Sequence, residues 1–314
     1  MIMSDKIPPT HEPTGLKTLF FGTPRLAQVV LEKLINSHHK PQVVVTASDT
    51  KSGRGQKLQP SPVKQTALKN RIKVLQPKSL SDPNLKFDLA ILVAYGKIIS
   101  KEILEIPKFG FINIHPSILP KYRGPSPIQS AILAGEEKTG VTIILIDKKI
   151  DHGPILAQKE ITISRDDTNL TLIEKLGNLG ADLLTQVLPK YLSHLRGEKS
   201  LHLEGVLKDT EIYLPPKPQD HTKATITKYI NKEDGLIDLS NPPDRQTLDR
   251  MIRAYHPWPN VWTKWNGKML KFLPEGKIQP EGKHPMSITE FKNGYPQFYE
   301  QISQLFAKQG SPES

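Results

Sequence analysis

The 314-residue chain has no cysteine. That excludes disulfides, thiolate metal sites and a cysteine nucleophile, and it gives no sign of a secreted disulfide scaffold. No apolar run approaches the roughly 20 residues of a membrane-spanning helix. The longest, Leu89 to Tyr95, has the length of a buried strand. Met1 to Gly15 carries Asp5, Glu12 and three prolines, without the apolar core of a signal peptide or the arginines of a transit helix. Residues 1–15 are therefore expected to form a disordered, frayed tail, and the protein is expected to be cytoplasmic with no membrane partner. No G-x-G-x-x-G follows the first apolar run, where Gly22-Thr23-Pro24 stands instead, and no Walker sequence occurs. NAD binding is thereby disfavoured.

Apolar residues at 37% and charged residues at 24% are close to globular averages, which excludes wholesale disorder. The length suits about two domains. Proline is abundant, at 28 residues. The formal charge of +11 is uneven, with only +2 of it from Lys208 onward. Between Lys51 and Ser81 stand Lys51, Arg54, Lys57, Lys64, Lys69, Arg71, Lys73 and Lys78, with no acidic residue. Such a stretch is either a solvated loop or a phosphate-contacting surface. Its centre, Ser52-Gly53-Arg54-Gly55-Gln56-Lys57-Leu58, has two glycines and is soon followed by prolines. That is the composition of a shaped loop.

Short apolar runs alternate with helical spacings. Strands are predicted at Thr18–Phe21, Gln42–Thr46, Ile72–Leu75, Phe87–Val93, Phe109–His115, Val141–Ile146 and Ile155–Ile163. A helix is predicted after Pro24 with Thr23 as its N-cap, another near Pro127–Leu133, and a long one over Leu170–Tyr191. This alternation implies an open, mostly parallel, Rossmann-like α/β sheet over residues 16–193. His194 to Thr225 is polar and proline-rich, so 194–224 reads as a linker. Residues 225–314 read as a small β-rich domain. There Pro242-Pro243 opens a helix carrying Leu248, Met251, Ile252 and Tyr255, and Asn266-Gly267 joins two strands as a hairpin.

The chemistry centres on Phe111-Ile112-Asn113-Ile114-His115-Pro116. Strand side chains alternate, so Asn113 and His115 point the same way, at a strand's carboxyl end where α/β sheets bind ligands. On their own they also suit a strand-capping histidine with an asparagine in a turn. Asp151, in the loop before Gly153, is a carboxylate placed to reach a neighbouring strand end and to orient the imidazole. Asp147 suits a turn cap. An amide, an imidazole and a carboxylate together suit acyl transfer to an amine: the amide donates to the developing oxyanion, the imidazole moves a proton, and the carboxylate steadies the imidazolium.

The segments FINIHPSILPKYRGPSPIQSAI and GVTIILIDKKIDHGPIL resemble those of the formyltransferases that use 10-formyltetrahydrofolate. Within that superfamily, VVTASDTKSGRGQKLQPSPVKQTAL, LVAYGKII, PQDHTKATITKYINKEDGLID and IRAYHPWPNVW are similar to the methionyl-tRNA formyltransferases, from Lys17 to about Phe298. The resemblance implies catalytic Asn113, His115 and Asp151. It implies folate contacts at Ser117, Ile118, Leu119 and Pro120, and initiator methionyl-tRNA as partner. It places the basic loop, with Arg54, Lys57 and Lys64, at the tRNA acceptor end. It implies 10-formyltetrahydrofolate as co-substrate, no metal, a monomer, and a C-terminal β-barrel of OB type. KFLPEGKIQPEGK is short for that barrel, so it is expected to be incomplete. Trp258, Trp262 and Trp265 are read as core packing, with base stacking as the alternative. The competing functions are formyl transfer to a small amine such as glycinamide ribonucleotide or an amino-sugar nucleotide, hydrolysis of the folate donor, and non-catalytic RNA binding.

Overall fold

A computed structural model describes residues 16–52, 57–76, 86–198, 210–265 and 267–305. In chain order the elements are β1 (Thr18–Gly22), α1 (Arg25–Ile35), β2 (Val43–Val45), β3 (Thr50–Ser52), β4 (Lys57–Gln59), α2 (Pro62–Lys69), β5 (Lys73–Leu75) and β6 (Leu89–Val93). There follow α3 (Lys101–Leu104), β7 (Phe111–His115), α4 (Pro127–Ala134), β8 (Lys138–Leu145), β9 (Ile155–Thr162), α5 (Asn169–Leu195) and β10 (Glu211–Lys217). The chain ends in α6 (Arg245–Tyr255), β11 (Val261–Trp265), β12 (Lys268–Leu273), β13 (Lys277–Pro280), β14 (Met286–Ser287), α7 (Ile288–Gly294) and α8 (Pro296–Ile302).

The chain divides into two compact units. The first takes the described residues up to Pro116 together with Val141–Lys159 and Leu176–His221; the second takes Ser117–Gly140, Glu160–Lys175 and the described residues from Thr222. The large sheet has the order β10-β9-β8-β7-β6-β1-β2-β5. Pairings among β5, β2, β1, β6 and β7 are parallel, whereas β8 runs antiparallel to β7. Parallel strands are covered on both faces, and β1 is buried at every position. One face of the sheet packs Leu19, Phe21, Val45, Ala90, Tyr95 and Phe111 together. Burial of each leucine, valine and phenylalanine side chain among them contributes about 1.5–3 kcal/mol.

The opposite face of β7 meets α5 across a glycine. A Cβ on Gly180 would lie 2.6 Å from Cγ2 of Ile114, so only glycine lets the helix approach this closely. Ile112 and Ile114 therefore face α5. Asn113 and His115, alternating with them, share the face of Phe111.

Two local expectations are corrected. The first helix has Pro24, not Thr23, at its N-cap. Thr23 stands one residue too early for that role, and its hydroxyl donates instead to the carbonyl of Tyr95 at 3.0 Å. The stretch read as linker contains β10, which pairs antiparallel with β9 through a register shift. Pro215 and Pro216 lie inside it, and an edge strand tolerates them because one of its sides needs no ladder donor.

In the second unit, Asp244 caps α6 by accepting from the backbone N–H of Gln246 and Thr247. Strands β11 and β12 pair with Trp265 opposite Lys268, as the hairpin expectation required; Asn266 itself lies outside the described residues. The sheet order is β11-β12-β13-β14, an open four-stranded antiparallel sheet rather than a closed barrel among the described residues. The connection expected to be short is a tight turn at Glu275 and Gly276, both at positive φ. Helices α7 and α8 contribute an aromatic cluster: Trp265 stacks on Phe298 at 4.7 Å and meets Tyr295 edge-on at 5.4 Å. Trp262 is buried and donates to the carbonyl of Lys232 at 3.0 Å. Core packing thus holds for Trp262 and Trp265, while Trp258 is exposed.

Candidate active site

The reversal of strand order beside β1 puts the carboxyl ends of β1, β6 and β7 next to one another, the position where open α/β sheets receive ligands. Strand β7 delivers Asn113 and His115 there, both buried. Its antiparallel partner β8 sets His115 opposite Thr142 and Asn113 opposite Ile144. The chain then leaves β8 through a loop that returns Asp151 to the same place. Asn113 Nδ2 donates to Asp151 Oδ1 at 3.0 Å, and His115 Nδ1 lies 3.5 Å from the same oxygen. The imidazole side chain is 5% exposed and the carboxylate 11%. Two polar groups of β7 thus share one carboxylate oxygen of a residue 38 positions beyond Asn113.

The loop that carries Asp151 is tightly specified. Asp151 itself adopts φ 49°, a left-handed conformation that Asp tolerates better than most residues. Asp147 takes the turn-capping part expected of it: Oδ1 accepts from the Lys149 N–H at 2.9 Å and Oδ2 meets His152 Nδ1 at 2.6 Å. Burial pushes the Asp147 carboxyl up, but the bonds from His152 and Lys149 and the nearby histidine charges outweigh it and hold the carboxyl below its ordinary value. His152 stacks on His221 with ring centroids 3.9 Å apart. Gly153 leaves no room for a side chain, since a Cβ there would sit 1.8 Å from the carbonyl oxygen of Leu145.

The expected folate segment lies in the second unit. Ser117 and Leu119 are buried, and Ser117 Oγ donates to the Lys121 carbonyl at 2.7 Å. Ile118 and Pro120 are half-buried. The loop that follows is fastened by the segment Thr225–Lys228. Arg123 N–H donates to the Thr225 carbonyl, Thr227 N–H to the Arg123 carbonyl, and Tyr122 N–H to Thr225 Oγ1. Tyr122 donates to Glu136 at 2.7 Å; burial and that carboxylate push its phenol well above the ordinary value.

Of the basic residues expected at the tRNA, Arg54 lies outside the described residues. Lys57 is exposed on β4, which pairs with β3 as a two-stranded ribbon. Lys64 is engaged with Asp49 at 2.8 Å, and this bond draws the Asp49 carboxyl below its ordinary value. Among the described residues no group of three or more His, Asp or Glu side chains could hold a metal, and no helix is long and apolar enough to cross a membrane. One residue at the site escaped the sequence reading. Gln219 is buried against the backbone of the Asp151 loop; the sequence marks it only as the second residue of the family-like segment PQDHTKATITKYINKEDGLID, with no role attached.

The formyl transferase family model matches residues 16–188, and the model of the formyl transferase C-terminal domain matches 229–275. A methionyl-tRNA formyltransferase from Chloroflexus aurantiacus is 42% identical, covering 85% of this chain and 82% of its own length. One from a Roseiflexus species is 41% identical over 89% and 92%, and one from Methylococcus capsulatus 37% over 89% and 97%. Among solved structures, an N-formyltransferase from Helicobacter canadensis, in complex with folinic acid and dTDP-3-aminofucose, superposes with a TM-score of 0.57. It is 21% identical and covers 84% of this chain and 94% of its own. A 4-N formyltransferase from Francisella tularensis gives 0.59 at 20% identity, over 82% and 96%. These two show the shared fold; the matched models and the relatives above 30% identity show more, and the chain belongs to the formyl transferase family, with the methionyl-tRNA formyltransferases.

Proposed function

We propose that the chain transfers a formyl group from 10-formyltetrahydrofolate to the free amino group of initiator methionyl-tRNA, with Asn113, His115 and Asp151 as its catalytic residues. The observation that carries the reading is the convergence of Asn113 Nδ2 and His115 Nδ1 on Asp151 Oδ1, at 3.0 and 3.5 Å. The donor supplies an activated one-carbon acyl group: a bond forms between the amine nitrogen and the formyl carbon, the bond from that carbon to the folate nitrogen breaks, and the amine's proton ends on the folate.

The residues present fit such a donor. An amide nitrogen carries two hydrogens. Asn113 gives one to Asp151, and the other serves the carbonyl oxygen as charge develops on it. His115 receives the amine's proton and returns it to the leaving nitrogen. Asp151 fixes the ring and balances its charge while the proton is held. A free amine attacks directly, so no side-chain nucleophile is required, in keeping with a chain without cysteine. Ile118 and Pro120, half-buried in the loop after β7, suit the flat body of the folate, while Ser117 and Leu119 shape that loop from within. Lys57 and Arg54 suit the phosphates of the acceptor end.

Transfer to a small amine uses the same three residues, and a sugar N-formyltransferase from a Shewanella species shares the fold. The acid-free basic stretch and relatives of 37–42% identity favour tRNA. The test is incubation with Met-tRNA and 10-formyltetrahydrofolate, with glycinamide ribonucleotide and an amino-sugar nucleotide in parallel. N-formylmethionyl-tRNA is the expected product, with a rate that falls steeply with salt. Formylation of only a small amine, or release of formate alone, refutes the reading.

A further inference from the structure

The stretch that reads as a linker also anchors the loop bearing the carboxylate. Gln219 is 6% exposed. Its Nε2 donates to the Asp151 carbonyl at 2.9 Å and to the Gly153 carbonyl at 2.7 Å. The two hydrogens of one amide are therefore both spent on this loop. Two carbonyls turned toward a single nitrogen require a sharp bend between them, and Asp151 supplies it with φ 49°. On the other side Gly153 abuts the Leu145 carbonyl so closely that no Cβ fits. The loop is thus clamped between β8 and Gln219. Packing alone does not account for this choice of residue, because an apolar side chain of equal length fills the same space without bonding either carbonyl.

We infer that Gln219 is a positioning residue for formyl transfer, its amide holding the backbone at Asp151 so that Oδ1 stays on Asn113 and His115. The inference rests on the reading of that trio as the transfer site and adds a residue from the segment leading to the second domain.

The test uses the full chain with Gln219→Met, which keeps the length and removes both donors. Gln219→Glu, which offers no donor when ionised, stands in if the first variant does not fold. Formylation of Met-tRNA gives kcat and both KM values. Titration with tetrahydrofolate gives the fraction of folded sites, and amide hydrogen exchange reads residues 147–155. The expectation is a loss in kcat of about 10- to 100-fold, the scale of a misplacement of about 1 Å. Both KM values and the tetrahydrofolate stoichiometry should hold, with faster exchange confined to that loop. A kcat within about twofold of the parent, a loss that tracks lost tetrahydrofolate sites, or a rise in either KM overturns the inference. If the parent chain itself does not formylate Met-tRNA, the transfer reading is what fails. The exchange experiment then still judges Gln219, because unchanged exchange at 147–155 shows that it does not hold the loop.

Discussion

Replacing Asp151 by Asn removes a charge while keeping a side chain of nearly the same shape. The new amide oxygen can still accept from Asn113, whose Nδ2 donates to Asp151 Oδ1 at 3.0 Å in the parent, so the loop has no steric reason to move. What is lost is the interaction with the imidazole. At 3.5 Å, His115 Nδ1 and Asp151 Oδ1 are farther apart than the roughly 2.9 Å of a well-made N–H···O bond. The pair therefore contributes little before reaction and most when the ring is carrying the amine's proton. A hydrogen bond to a charged partner contributes about 1.5–3 kcal/mol. At about 1.36 kcal/mol per tenfold in rate, kcat should fall roughly 10- to 150-fold. Interactions that strengthen only on the way to the transition state alter kcat and leave substrate binding alone. Initial rates of N-formylmethionyl-tRNA formation, measured across both substrate concentrations, separate the two. A kcat within about threefold of the parent, or a loss confined to the folate KM, refutes the assignment of Asp151 to proton balance.

Three further outcomes follow from named contacts. Gly153→Ala places a methyl 1.8 Å from the Leu145 carbonyl, so the loop must shift. Stability should drop by about 1–3 kcal/mol in a thermal melt and kcat by about 100-fold, and a stable variant of normal turnover contradicts the clamp. Lys57→Glu, alone or with Arg54→Glu, should raise the KM for tRNA and flatten its salt dependence while sparing the folate KM; a change confined to folate assigns the loop elsewhere. Asp167 is buried and bonded to Lys175, Thr171 and the Ser164 N–H. Burial pushes its carboxyl up, but these bonds outweigh it and hold the carboxyl below the ordinary 3.8. Its contribution is therefore present above about pH 4 and lost as the pH falls through the lowered value. Asp167→Asn should cost about 1–3 kcal/mol at neutral pH, a gap that closes in acid, and a gap that widens in acid refutes the linkage.

Much of the framework was legible because it depends on local pattern. The parallel strands appear as continuous apolar runs, and α5 appears through the spacing of Leu172, Leu176, Leu183 and Val187, all buried. The two-residue hairpin is written at Asn266-Gly267. Where the reading fell short, competing local rules were at work. β10 was hidden by its prolines, which argue against a strand unless it lies at an edge. Helix α7 carries a readable capping box, Ser287 with Glu290, but its 7 residues are too few for a helical apolar repeat to show.

Alternation along β7 alone sets Asn113 and His115 on one side of the chain, because the strand repeat is two residues. It cannot say that Asp151 joins them. That depends on β8 pairing antiparallel to β7, on a left-handed residue at 151, and on Gly153 and Gln219 closing the loop from opposite sides. Gln219 stands 68 residues beyond Asp151; each lies in a family-like segment, but nothing in either segment says that the two meet. Side-chain direction within one element follows from backbone geometry a few residues long, and the sequence carries it. The meeting of groups on separate elements follows from which strands pair and which loops are clamped, and only the folded chain decides that.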